Sequence, residues 1–386
     1  MIKKIWFIIG HYPSPYNPDC AFLRPVITGI AEQGIECTVI SAQSLTQAFA
    51  NHDKLMPYEW FDETQNHAKV RIIQPKYLSF SSLRLFGCSV SNLFRMMAVR
   101  RAVKKLKGSP DLVYGHFWYT GVMGAVVTKK RYPVIVVSGE ERIDVYERFG
   151  TRYIEQLKKV LKGLICVASK NLAESKSLKL LPENVPTVVL PNAIDPDRFH
   201  QMDKQKIRKE LGIEQNSCVA VFVGSFEERK GVLRLVEAAR QVPDLKLILI
   251  GDGPQKPVSD QIIFSGRIPH KEVAYYMNAA DMFVLPTLSE GCCNAIVEAM
   301  ACGLPVISAD RPFNDDVMTA ENSIRIEPTD IDDIAQAMER IYRDKELRER
   351  LVQGALDTAL GLQIENRVKK IMAFMENALD STAEQR

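Results

Sequence analysis

A chain of 386 residues with 46% hydrophobic and 25% charged residues suits two soluble globular domains, each able to bury its own core. No run of about 18 apolar residues occurs, which argues against a transmembrane helix. The formal net charge of +3 is modest but unevenly distributed.

The first ten residues, M-I-K-K-I-W-F-I-I-G, hold an apolar run of only 5–9 that enters Gly10-His11-Tyr12-Pro13 without a small-residue cleavage site. This reads as a first buried strand and not as a signal peptide. A helix over 22–33, stopped by Gly34, and a strand over 37–41 follow. Strands over 70–73, 112–114, 134–137, 164–167 and 187–190 then alternate with helical patterns. The second half repeats the alternation with strands over 218–223, 246–250, 261–264, 282–285, 305–308 and 323–326. Such alternation predicts an α/β protein with parallel, doubly wound, Rossmann-like sheets. A helical pattern closes the chain from about 361 to 379. The break between domains is expected in the Pro-bearing stretch before residue 194, giving 1–193 and 194–361.

Between Glu63 and Asp111 there is no acidic residue, while Lys69, Arg71, Lys76, Arg84, Arg95, Arg100, Arg101, Lys104, Lys105 and Lys107 are all basic. A surface of this density attracts anionic lipid. Leu93, Met96, Val99, Val103 and Leu106 fall at helical spacing within it, so this segment is either an amphipathic helix resting on a membrane or a domain helix with a solvated basic face. Nucleic acid is not expected as a partner, since no zinc spacing, aromatic-rich binding sheet or helix-turn-helix pattern accompanies the charge. The eight cysteines lack metal-type spacing, and Cys292-Cys293 is a vicinal pair; reduced thiols of a cytoplasmic protein are expected.

The densest chemistry lies in S-E-G-C-C-N-A-I-V-E-A-M-A-C-G-L-P-V-I-S, residues 289–308. It follows a buried strand, opens a helix capped at Asn294 and closes it at Gly303. The amides of Gly291, Cys292, Cys293 and Asn294 then face a phosphate site at the carboxyl end of a parallel sheet. Glu290 in the loop and Glu298 in the helix are spaced to bind hydroxyls on either side of that phosphate. The plainer alternative is a strand–loop–helix unit with two solvated glutamates.

This spacing resembles the paired-glutamate motif of glycosyltransferase family 4, whose members have the GT-B fold: two Rossmann-like domains, an interdomain cleft and a last helix (here 362–386) that crosses back to the first domain. The resemblance extends over most of the chain. Gly10 and Y-P-S-P-Y-N-P-D-C-A-F, with Tyr16 and Asn17, look like the loop closing over donor diphosphate and acceptor, although many relatives carry two adjacent glycines where Asn17-Pro18-Asp19 stands. Asp111-Leu112-Val113-Tyr114-Gly115-His116 matches the active-site histidine with His116. A second histidine of relatives is replaced by Ser138-Gly139-Glu140, leaving Glu140 as a substitute on the acceptor side. V-G-S-F-E-E-R-K-G resembles G-R-L-x-x-x-K-G, with Lys230 on the departing diphosphate, Ser225 in place of an arginine, and Arg229 or a residue of the N-terminal loop as compensation. Gly251-Asp252-Gly253-Pro254 matches the G-D-G-P turn, and Arg267 and Ile268 stand where relatives hold the nucleobase. Pro191-Asn192-Ala193-Ile194-Asp195 resembles the P-N-G-V-D turn.

The resemblance implies a retaining, hexosyltransferase-type enzyme that moves a sugar from a nucleotide diphosphate sugar, UDP-linked by expectation, to a saccharide or lipid-linked acceptor in cell-surface polysaccharide synthesis. Glu290 would bind the sugar and Glu298 the ribose. No cofactor or active-site metal is implied. The expected location is cytoplasmic, with peripheral contact to the inner face of the cell membrane. A catalytically weak nucleotide-sugar-binding protein and a GT-B sugar-nucleotide epimerase are the alternatives.

Overall fold

A computed structural model describes residues 1–14, 16–17, 20–64, 66–80, 84–85 and 88–380. The chain forms two compact units, Met1–Leu190 with Arg367–Arg386, and Pro191–Asn366, so the divisions fall at 190/191 and 366/367 beside the expected 193/194 and 361/362. Each is an α/β layer structure, as the alternating apolar runs require.

The sheet of the first unit runs in the order Thr187–Val189, Leu161–Cys166, Val134–Ser138, Leu112–His116, Lys4–Ile8, Glu36–Ile40, Lys69–Ile73, Glu59–Glu63. All neighbours are parallel except the last pair, which is antiparallel. Its inner strands are buried on both faces, which explains their continuous Val/Ile/Leu character. The edge strand Glu59–Glu63, E-W-F-D-E, alternates exposed and half-buried residues and offers no apolar run to find. The helix Leu23–Glu32 ends as expected, with Gly34 at φ +83° donating to the Ala31 carbonyl at 2.9 Å.

The sheet of the second unit is fully parallel, in the order Ile262–Gly266, Leu245–Ile250, Cys218–Val223, Met282–Leu285, Val306–Ala309, Ser323–Ile326. The order of winding reverses between Cys218–Val223 and Met282–Leu285. In the first unit it reverses between Lys4–Ile8 and Leu112–His116. At such a switch point the loops from two adjacent strand ends diverge to opposite faces, leaving a crevice beyond the carboxyl edge.

The last helix, Ile364–Asp380, belongs to the first unit from Arg367 onward. Buried Arg367 donates to the Leu190 carbonyl, and Val368 packs so closely on the helix Leu23–Glu32 that a Cβ at Gly29 would lie 2.8 Å from its methyl.

The basic segment forms the helix Val90–Lys105. Its stripe is not free to rest on a membrane: Val99 and Val103 are buried, and Met96 and Leu106 pack on the core of the first unit. Arg100, Arg101, Lys104 and Lys105 remain exposed on the other face, together with Phe94 and Met97. The side chain of Arg84 lies outside the described residues. Arg95 instead turns inward, between the rings of Tyr77 and Tyr119 at 5.8 and 5.6 Å. Among the described residues, no helix is long and apolar enough to cross a membrane.

Candidate functional site

In the second unit, glycines let loops from neighbouring strands meet. Gly231, at φ +80°, lies where a Cβ would stand 2.4 Å from the Pro286 carbonyl oxygen. The Leu288 amide donates to the Arg229 carbonyl at 2.8 Å, stitching the loop after Cys218–Val223 to the loop after Met282–Leu285. This seam brings Arg229, Lys230 and Glu290 together. Lys230 Nζ donates to Glu290 Oε1, Arg229 Nη1 approaches the same oxygen at 3.3 Å, and Thr287 Oγ1 donates to it at 2.9 Å. Arg229 also donates to the Ser289 carbonyl at 2.7 Å. Glu290 is only 9% exposed. Burial opposes the Lys230 ammonium, but Cys293 and the Glu290 carboxylate beside it hold its pKa above the ordinary lysine range.

Ser225 lines a cavity of about 460 Å³ with Gly224, Gly251, Asp252, Arg267 and Ile268. Gly251 makes this shape possible: at φ +155°, a Cβ there would lie 1.8 Å from the Gly224 carbonyl oxygen. Arg229 therefore brings a second cation beside Lys230, near the segment where Ser225 supplies none.

The motif helix spans Asn294–Ala301 and ends at Gly303, at φ +73°. Asn294 is not its cap. Extended Cys293 holds that position, and Asn294 Oδ1 is engaged by Asn192 Nδ2 at 2.7 Å. Asn192 also reaches the Cys292 carbonyl at 3.4 Å, so the turn after Leu190 braces the start of the helix. Gly291 is buried and Cys292 half-buried, and burial pushes the Cys293 thiol up to about 12. The first amides of a helix have no partners within it and carry its positive dipole end. Glu298 sits one turn on, with His270 Nε2 at 3.8 Å. Thr287 and His270 carry no separate signal in the sequence, and Asn192 stands in a turn that reads only as a domain junction.

In the first unit, Gly10 follows the first strand, and its carbonyl accepts from Arg95 Nη2 at 2.5 Å. Tyr119 Oη would lie 1.9 Å from a Cβ at this position, so a side chain here would have to displace the Tyr119 ring. Asn17 closes a small turn with Ser14, whose amide donates to the Asn17 carbonyl at 2.8 Å. Tyr16 is exposed and receives Lys54 Nζ at 3.0 Å. Pro18 and Asp19 of the expected loop lie outside the described residues. Gly10, His11 and Asn17 share a cavity of about 280 Å³ with Gln43, Gln47 and Arg95.

His116 ends the strand beside the switch point and is 3% exposed. Burial, aided by the Arg367 guanidinium, lowers its pKa to about 3, so the ring is neutral. Phe22 and Phe117 flank it, and its buried Nδ1 has no hydrogen-bond partner among the described residues. The next residue, Phe117, sits at φ +78°, a strained conformation for a side chain of this size. Glu140 is occupied internally. Its Oε1 accepts from the Trp118 amide at 2.5 Å, and its Oε2 from Ser138 Oγ at 2.7 Å and the Gly139 amide at 2.9 Å. It thus caps the helix Trp118–Val127; burial raises its pKa despite those bonds.

Residues 203–357 match the family described as Glycosyl transferases group 1. Over 364 residues the chain is 27% identical to "Putative teichuronic acid biosynthesis glycosyltransferase TuaC" of Bacillus subtilis (strain 168), covering 89% of this chain and 90% of that one. It is 26% identical over 312 residues to the UDP-Gal:alpha-D-GlcNAc-diphosphoundecaprenol alpha-1,3-galactosyltransferase of Escherichia coli, covering 73% and 79%. Among solved structures, the sucrose-phosphate synthase of Thermosynechococcus elongatus superposes with a TM-score of 0.76 at 18% identity, over 98% of this chain and all of that one (100%), a likeness of fold. These matches support a glycosyltransferase built on the GT-B fold, with a group 1 glycosyl transferase domain at residues 203–357.

Proposed function

We propose that this protein is a retaining glycosyltransferase of family 4 that moves a hexosyl group from a UDP-sugar to a saccharide or lipid-linked acceptor of a cell-surface polysaccharide. The observation that carries the reading is the buried cluster of Lys230, Arg229 and Glu290 beside the N-terminus of the helix Asn294–Ala301. Two cations and the positive end of a helix dipole at one strand-end crevice suit a departing diphosphate, whose charge grows in the transition state. The UDP-Gal named for the Escherichia coli relative supports the choice of nucleotide, and its diphosphoundecaprenol acceptor supports a lipid-linked one.

In this proposal Lys230, Arg229 and the amides of Gly291 to Asn294 hold the diphosphate, and the cavity at Ser225, Arg267 and Ile268 takes the base. Glu298 receives the ribose and Glu290 the sugar. The leaving phosphate takes the acceptor proton on the face it departs from, which retains the anomeric configuration. Neutral His116 serves that step as a hydrogen-bonding group and not as a charged acid. Because Glu140 is spent on a helix cap, the acceptor side falls to Tyr16, Asn17, His116 and the cavity beside Gly10. The exposed basic face of the helix Val90–Lys105 would meet an anionic membrane surface by charge.

Incubation with UDP-, GDP- and ADP-sugars tests the reading. Release of UDP from a UDP-sugar, absent with the other nucleotides, is the expected outcome. Turnover confined to GDP- or ADP-sugars would overturn the choice of donor, and binding without turnover of any donor would favour the weak-binding alternative.

A further inference from the structure

The turn from Pro191 to Phe199 touches the motif region at two places. At its start, Asn192 holds Asn294 and the Cys292 carbonyl. At its end, the Asp195 carbonyl accepts from the Arg198 and Phe199 amides at 3.1 and 2.9 Å, so Arg198 projects from a closed turn. Arg198 Nη2 meets His270 Nδ1. A guanidinium only donates, so Nδ1 accepts and the ring proton resides on Nε2. The ring of Phe199, 4% exposed, lies edge-on to His270 at 6.0 Å and under the Arg198 guanidinium at 5.4 Å. His270 is thus fixed by two neighbours although its side chain is 39% exposed.

Its Nε2 lies 3.8 Å from Glu298 Oε1. That separation exceeds a hydrogen bond, so the ring nitrogen faces the carboxylate oxygen across a short gap and leaves its lone pairs open. Both oxygens stay able to accept from a ligand. A carboxylate that receives two neighbouring hydroxyls needs one orientation, and His270 is the charged or polar ring that faces Glu298 here.

We propose that His270 is a positioning residue for nucleotide recognition: its Nε2–H holds the Glu298 carboxylate in the orientation that accepts the ribose hydroxyls of a nucleoside diphosphate, with Arg198 setting the tautomer. This rests on the assignment of Glu298 to the ribose.

Calorimetric titration of the full chain with UDP, and with its dideoxy analogue lacking both ribose hydroxyls, tests the two assignments separately. His270→Ala should weaken UDP about five- to tenfold through the lost orientation of Glu298, and the analogue less than about twofold. His270→Gln should restore most UDP affinity, since its amide N–H reaches the place of Nε2–H. Equal weakening of both ligands by His270→Ala, or of neither, overturns the proposal. Glu298→Gln supplies the control: if it fails to distinguish the two ligands, the ribose assignment itself falls. If it distinguishes them while His270→Ala does not, only the role of His270 is lost.

Discussion

The two strand-end regions solve opposite electrostatic problems. In the second unit, Lys230, Arg229 and Glu290 are charged, half-buried or buried, and in contact with one another. In the first, His116 is neutral and walled by aromatic rings, and Glu140, just past the neighbouring strand Val134–Ser138, spends its oxygens on a helix end and a loop. A departing diphosphate carries charge that must be met by charge, whereas an incoming hydroxyl needs only a dipole and a dry wall. In the proposed function the contrast is a division of labour between similar sheets, and each half of it is open to test.

The largest effect should come from the ionic region. Glu290→Gln is expected to lower turnover about a hundred- to a thousandfold, the size found when one preorganised electrostatic contact is removed. UDP affinity should change far less, because free UDP lacks the sugar that Glu290 is assigned to hold. Equal losses in steady-state kinetics and in UDP titration would sink that assignment. Next in size, Lys230→Ala should weaken UDP by about 1–3 kcal/mol in calorimetry, the usual range for a charged hydrogen bond. An unchanged affinity would move the diphosphate away from this seam.

The neutral region should announce itself through pH. A histidine titrating near 3 in the fold, against about 6.5 when unfolded, binds fewer protons folded than unfolded between those values. Its neutral form costs nothing at pH 8, and stability falls as pH drops below about 6.5 until the folded pKa is reached. Between pH 6.5 and pH 5 this amounts to roughly 1.5–2 kcal/mol. Denaturant melts of His116→Asn should lack that part of the acid loss; an identical pH dependence in variant and parent would mean that His116 protonates in the fold. The smallest effect per residue is expected at the helix Val90–Lys105, where Arg100, Arg101, Lys104 and Lys105 would each add up to about 1 kcal/mol at an anionic surface. Sedimentation with anionic vesicles should be lost in the fourfold glutamine variant and at raised salt. Binding that persists in neutral vesicles would point to Phe94 and Met97 as insertion points.

Much of the architecture was legible because parallel strands buried on both faces write themselves as unbroken Val/Ile/Leu runs. The strand Glu59–Glu63 did not, since an edge strand faces water and keeps its charges. The stripe Met96, Val99, Val103, Leu106 was visible as a stripe, but periodicity cannot say whether a core or a membrane covers it. At the site, spacing placed Glu290 and Glu298 beyond a strand end, and the family resemblance singled out Lys230. They could not show that Glu140 is a cap, that Cys293 and not Asn294 flanks the motif helix, or that Arg229 turns toward Glu290. Those depend on side-chain directions set by loops that meet only after both strands are in the sheet.

The return of the chain at Arg367 has a consequence for biosynthesis. Residues 191–366 are contiguous and can complete their sheet as soon as they have left the ribosome. The first unit, although synthesised earlier, must wait for the last helix to cover Gly29 and to reach the Leu190 carbonyl. The part made first is the part finished last, and a stop codon just before Arg367 would leave the older half of the polypeptide as the incomplete one.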